Sequence, residues 1–165
     1  MYKRQTLISF WGSRTSKEYN GLGINRKIEF SDDDYKYLNN RYTKELDQVT
    51  ARYTKWDLVS NYKDKTGNYP VIGVMPGMQT VENIYMNVGR FISEKDVKNK
   101  NKVVVVGIYA ARDFFDDYTK AIGETITIDG IHYKVVGIYS DPGGERDESK
   151  LFIPNSNVVL SLIHI

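Results

Sequence analysis

The 165-residue chain contains no cysteine. That absence excludes disulfides and thiolate metal sites, and leaves the redox compartment open. Long apolar runs are also missing. The longest, Val103 to Ala111, stops at Arg112, well short of the ~18–20 residues a bilayer core demands. The opening residues lack the charged and apolar regions of a signal peptide. Histidine is scarce, with two copies, so a histidine-built metal site has almost nothing to draw on.

The two ends read as foreign to the rest. Met1-Tyr2-Lys3-Arg4-Gln5 and Leu160-Ser161-Leu162-Ile163-His164-Ile165 can be encoded by complementary DNA strings matching a transposase mosaic end used in sequencing libraries. Such scars are set aside from fold reasoning. The expectation is therefore a scar at residues 1–5, a partial domain at 6–159, and a second scar at 160–165, with the reading frame cut at both ends. Lys3 and Arg4 belong to the 23 basic residues; without them 21 remain against 21 acidic residues. A neutral body gives no electrostatic support to nucleic-acid binding. His164 goes too, leaving His132.

What remains has the balance of a folded domain, with 41% hydrophobic and 27% charged residues,. Thirteen tyrosines suit half-buried strands, where the ring packs and the hydroxyl stays wet. Thr6–Gly12 and Ile24–Phe30 read as extended segments. Ser31 followed by Asp34 is a capping-box pattern, and Tyr35, Leu38 and Tyr42 repeat on one face, predicting a helix of roughly 10 residues. Val49–Tyr62 and Tyr69–Met75 read as a long hairpin turning at Lys65-Thr66-Gly67-Asn68. A short helix over Met78–Ile84 and a strand over Met86–Ile92 follow. Val103–Val106 is an unbroken β-branched run, expected to be buried on both faces, with a helix from Ala110 to Phe115. Thr125–Ile138 predicts a hairpin about Asp129-Gly130. Asp141–Lys150 reads as a polar loop that Pro-Gly-Gly keeps mobile, and Leu151–Pro154 as a last strand. The class is α+β, mostly antiparallel with a few short helices, a βαβ portion and a β-rich subdomain, incomplete at its C-terminal end.

Each cluster that could carry chemistry has a simpler structural explanation. Asp32-Asp33-Asp34 could bind a divalent cation, but it lacks the glycine turn and distal glutamate of an EF-hand, and helix capping explains it. Asp141, Glu145, Asp147 and Glu148 could hold calcium; a solvated loop explains them. His132 could act in a hydrolase only beside a serine and a carboxylate; an exposed strand position is the alternative. Val103–Gly107 resembles the start of a nucleotide-binding unit, yet Gly107 is followed by Ile108, Tyr109 and Ala110 instead of G-x-G-x-x-G. Trp11 and Trp56 could form a sugar or single-strand platform, or serve as core and cross-strand partners. No catalytic, cofactor-binding or metal residue is assigned, and no cofactor is expected.

Several glycine-punctuated pieces, in order, carry a wider resemblance. They are Val71-Ile72-Gly73-Val74-Met75-Pro76, Gly89-Arg90-Phe91 with Asp96, Val103–Gly107, Phe114-Phe115 and Ile122-Gly123. Ile126–Gly130, Tyr133–Ile138 and Phe152-Ile153-Pro154 complete the series. Together they resemble the MacB-like periplasmic core domain of ABC-transporter permeases, and Trp11–Lys17 looks like the approach segment of one subgroup. Ala121 departs from a position where the family often has proline.

The resemblance implies a non-catalytic domain outside the bacterial cytoplasmic membrane, inserted after the first membrane helix of an export permease. It would pass ATP-driven motion to substrate or adaptor, with peptides, toxins, antimicrobials or lipoproteins as substrate classes. The implied partners are a cytoplasmic ATP-binding cassette ATPase reached through membrane helices, a second or paired permease copy, and a periplasmic adaptor. A stand-alone extracytoplasmic ligand- or protein-binding module is the alternative.

Overall fold

The computed structural model describes residues 8–42, 44 and 46–162, without the side chains of Asp32, Trp56, Asp57 and residues 159–162. The chain divides into two units, residues 1–49 and 50–165.

In the first unit the two extended segments meet as a ribbon. Arg14 and Lys27 form an antiparallel bridge, as do Tyr19 and Leu22. The Thr15 and Ile28 amides donate to the Arg26 and Ser13 carbonyls at 2.9 and 2.6 Å. The ribbon reverses at Asn20-Gly21, both at positive φ (+49° and +75°), as a type I′ turn requires. Residues 6 and 7 of the first expected segment lie outside the described residues. Helix α1 (Asp32–Arg41) follows with the expected capping box: the Asp34 amide donates to Ser31 Oγ, and the Ser31 amide donates to Asp34 Oδ2 at 2.8 Å.

The second unit is built on seven strands among the described residues: β1 (Arg52–Tyr62), β2 (Lys65–Val74), β3 (Tyr85–Gly89), β4 (Val103–Gly107), β5 (Thr125–Ile128), β6 (Ile131–Ser140) and β7 (Leu151–Pro154). Their order is β3-β6-β4-β7-β2-β1-β5, and β5 also pairs with β6, so six of them close into a ring. Only β2–β7 and β4–β6 are parallel. The expected α+β class with mostly antiparallel pairing is the architecture observed. Short helices α2 (Met78–Val81), α3 (Glu94–Lys98), α4 (Ile108–Phe114), α5 (Glu145–Glu148) and α6 (Asn155–Leu162) fill the connections. The α6 backbone thus continues three residues into the segment expected to be foreign; residues 1–5 and 163–165 lie outside the described residues.

Two cores explain the unbroken valine run. Val104 and Val106 point into a cluster to which every ring strand contributes, with Ile126, Val135 and Leu151 among its members. Val103 and Val105 point the other way, into a second cluster with Ile72, Met78, Phe91, Tyr139 and Phe152. A strand covered on both faces has no polar side to show. In the second cluster the Tyr139 and Phe152 rings stack with centroids 4.7 Å apart.

The first hairpin turns earlier than its glycine suggests. The connection is Lys63-Asp64, with Lys63 at φ +53°, and Lys65, Thr66, Gly67 and Asn68 are strand residues paired to Tyr62, Asn61, Ser60 and Val59. A Cβ at Gly67 would meet the Tyr69 ring, so that glycine makes room for a neighbouring side chain. Ala121, where the family often has proline, closes a 3-10 turn, its amide donating to the Tyr118 carbonyl at 3.2 Å. Proline would lose that bond.

Arg90, Ser93, Asp96 and Asn101 form a node that fixes the approach to β4. The Asp96 side chain is 2% exposed and accepts from both Arg90 terminal nitrogens (2.6 and 3.2 Å). It also accepts from the Ser93 amide and hydroxyl (2.9 and 2.6 Å) and from Asn101 Nδ2 (3.0 Å). Burial alone would raise the Asp96 carboxyl; the donors from Arg90, Asn101 and Ser93 outweigh it and hold the group far below its ordinary value,.

Two outcomes follow. At the β5–β6 turn Asp129 and Gly130 both have positive φ (+49° and +78°), so Gly130→Val should cost about 1–3 kcal/mol in chemical denaturation. Asp96→Asn should cost about 2–3 kcal/mol at neutral pH, through lost charge-assisted bonds. Because the folded carboxyl is depressed, that stabilisation is complete above about pH 5. It drains away as pH falls below the unfolded value near ~3.9 toward the folded one. Urea midpoints measured at neutral and at acid pH should therefore show the gap between wild type and Asp96→Asn closing in acid.

Candidate functional site

The residues with chemical potential in the sequence occupy separate places. Asp33 pairs with Lys36 at 2.9 Å on α1. Asp34 is committed to its cap, and its backbone and side-chain bonds with Ser31 lower its carboxyl. His132 faces Thr127 across the β5–β6 hairpin, Nδ1 to Oγ1 at 2.8 Å, on the exposed side. Gly107 ends β4 where a Cβ would collide with the Glu148 carbonyl oxygen. Close backbone approach, with the Gly107 amide donating to the Lys150 carbonyl at 3.0 Å, accounts for this glycine without any phosphate. Trp11 is 73% exposed, a departure from the expected core or cross-strand role. Trp56 lies in β1 where the register with β2 shifts between Lys55 and Leu58; its side chain is outside the description.

The 141–150 segment departs most from expectation. It is solvent-facing as expected, but it carries α5 and is tied down by several hydrogen bonds. Tyr139, fully buried, donates its hydroxyl to the Asp147 carbonyl at 2.6 Å and contacts the Lys150 carbonyl at 3.3 Å. Burial, followed by the charges of Asp141 and Asp147, pushes the Tyr139 phenol well up, so it remains a donor. The Asp141 amide donates to the Glu148 carboxylate at 2.9 Å, and the Gly143 amide to Asp141 Oδ1 at 2.7 Å. Lys150 pairs with Asp147.

Held in this way, the segment borders a shallow, solvent-open cleft. The opposite wall is the Arg52–Glu82 ion pair, 3.1 Å apart, and the floor is Ile72, Met78, Ile84 and Phe152. A second, still smaller cleft is lined by Lys55, Asp129 and Asn157 with the α6 residue Val158. Among the described residues no three His, Asp or Glu side chains converge as metal ligands. The acidic loop residues were visible in the sequence as charges. Arg52 and Glu82 were not singled out, because they come from elements distant in the chain.

The comparisons with known proteins agree with this architecture. The family described as MacB-like periplasmic core domain matches residues 3–164. Over 131 residues the chain is 27% identical to the macrolide export ATP-binding/permease protein MacB of Bdellovibrio bacteriovorus, covering 78% of this chain and 20% of that protein. It is 24% identical over 127 residues to the uncharacterized ABC transporter permease YknZ of Bacillus subtilis, covering 76% of this chain and 31% of that one. The chain thus spans less than a third of the length of either relative. Among solved structures, the periplasmic region of MacB from Actinobacillus actinomycetemcomitans superposes with a TM-score of 0.64 at 21% identity, covering 78% of this chain and 57% of that one. The extracellular domain of a YknZ transporter from Gram-positive bacteria does so with a TM-score of 0.69 at 19% identity, covering 81% and 66%. With one family matched from residue 3 to residue 164 and its fold reproduced, the chain belongs to the MacB-like periplasmic core domains of ABC-transporter permeases.

Proposed function

We infer that this domain works as a mechanical body of an export permease, carrying ATP-driven displacement from the membrane part to substrate or adaptor outside the cytoplasmic membrane of a bacterium. The observation that carries the reading is the sheet closed into a ring around one packed cluster, with a second packed cluster against the outer faces of β2, β4, β6 and β7. Close-packed interiors deform little, so a push at one end reappears at the other instead of being absorbed by repacking. Two further features favour stiffness: the Asp96 node before β4, and the 141–150 segment bonded to Tyr139 and Gly107 beyond it. Among the described residues no helix is long and apolar enough to cross a membrane. The movement would therefore arrive through helices of the parent permease. A cytoplasmic ATP-binding cassette ATPase would supply the energy, a second permease copy the opposing surface, and a periplasmic adaptor the exit path. The material moved would be a peptide, toxin, antimicrobial or lipoprotein.

Two outcomes test this role. The isolated chain should release no phosphate from ATP above the buffer rate. In the complete permease, assayed for transport with its ATPase, deletion of residues 24–154 should abolish transport while the membrane part still inserts. Transport that survived the deletion would overturn the mechanical role.

A further inference from the structure

We propose that Asn20 is a site of spontaneous modification, where the side-chain amide is lost and the backbone is rerouted through the side chain as isoaspartate. Asn20 is the one asparagine in the sequence that glycine follows. It sits at the tip of the first-unit ribbon, at φ +49° with Gly21 at +75°. Both residues are exposed, and nothing lies within 4 Å of the position a Cβ would take on Gly21. Neither the Asn20 side chain nor the Gly21 amide has a hydrogen-bond partner among the described residues. The two reacting groups are adjacent, solvated and unengaged.

The reaction needs only water. The Gly21 nitrogen, once deprotonated, attacks Asn20 Cγ; a C–N bond forms there as the bond from Cγ to Nδ2 breaks. Ammonia leaves, taking up the proton that the Gly21 nitrogen gave to solvent. Water then opens the five-membered imide at either carbonyl, giving aspartate or isoaspartate. Glycine offers the least hindered nitrogen for this attack, since no Cβ stands beside it. The backbone must leave the turn for nitrogen and Cγ to meet, and little resists that. Two bonds between Tyr19 and Leu22 (3.1 and 3.0 Å) close the tip, and their side chains are 70% and 50% exposed. Such a segment opens at low cost. Asp129-Gly130 shares the two positive φ values, but there the Asp129 amide donates to the Val59 carbonyl at 2.9 Å and the hairpin belongs to the closed ring. Its carboxylate is also a poorer electrophile than an amide. Asn25, at φ +66°, donates its amide to the Thr15 carbonyl at 2.7 Å and precedes the bulkier Arg26. Asn20 therefore reacts first. The product adds a methylene to the main chain at the turn and a carboxylate close to Glu18, so the pairing of Tyr19 with Leu22 is lost.

The test keeps the full chain warm at neutral and at mildly alkaline pH, samples it over days, digests it with trypsin and reads the fragments by mass spectrometry. The 18–26 fragment should gain the mass of an amide-to-acid change at residue 20 before residue 25 or any other asparagine changes. The rate should rise with pH, because the attacking nitrogen must lose its proton, and isoaspartate should be the larger product. Asp129 should stay unaltered over the same period. Gly21→Ala should slow the conversion about tenfold, since its methyl raises the barrier to attack in the turn and in the opened chain alike. Asn20→Gln, whose longer side chain would have to close a six-membered ring, should leave residue 20 unchanged. The proposal is overturned if another asparagine or Asp129 changes while Asn20 stays intact, or if Gly21→Ala converts as fast as the wild type. It is overturned equally if the fragment keeps its mass over a period in which a free peptide of the same sequence has converted.

Discussion

Three strands depend on the ten residues of β6. Along one edge β6 pairs in parallel with β4; along the other it pairs first with β5 and then with β3. The ring can close only if β6 serves both edges, and doing so demands a local concession. The β4 register skips Val136, and the Val136 carbonyl instead accepts the Arg90 amide at 2.9 Å. At this irregularity the strand turns its tyrosine and isoleucine side chains toward the correct clusters, Ile138 inward and Tyr139 outward. A bulge that redirects side chains is a regular device for bending a sheet toward closure.

Local rules were legible where one physical demand acted alone. The valine run announces a strand covered on both faces. Asp129-Gly130 announces a turn with two positive φ values, and Ser31 with Asp34 announces a helix start. Where two demands met, the reading slipped. Gly67 looked like a turn residue, yet its lack of a side chain serves Tyr69. Asn20-Gly21 carries the same turn chemistry as Asp129-Gly130 but lies between segments too irregular to advertise a hairpin. Ser93 and Asp96 repeat the spacing of Ser31 and Asp34, and α3 went unread because its helix has only five residues.

Tertiary facts were beyond reach for a different reason. The contact that closes the ring pairs just Ser60 with Ile128 and Asn61 with Thr127, too little to leave a pattern in either strand. The bonds that pin the 141–150 segment come from Tyr139 and from backbone groups around Gly107, and backbone carbonyls have no sequence signature. The cleft joins Arg52, Glu82 and Asp141, whose separation along the chain hides their proximity. Family membership was the exception: ordered short pieces, each unspecific, together identified the architecture before any contact was known.

Closing the sheet has a colloidal consequence. The chain carries a formal charge of only +2, so mutual repulsion between copies offers little protection against association. Protection falls to the backbone. Among the described residues the outer side of β3 is left as a strand edge, and it is interrupted by the irregularity between Met86 and Val88. Short, kinked or charged edges are poor templates for strands of other molecules. Solutions of this nearly neutral domain are therefore guarded against fibrillar growth by topology more than by charge.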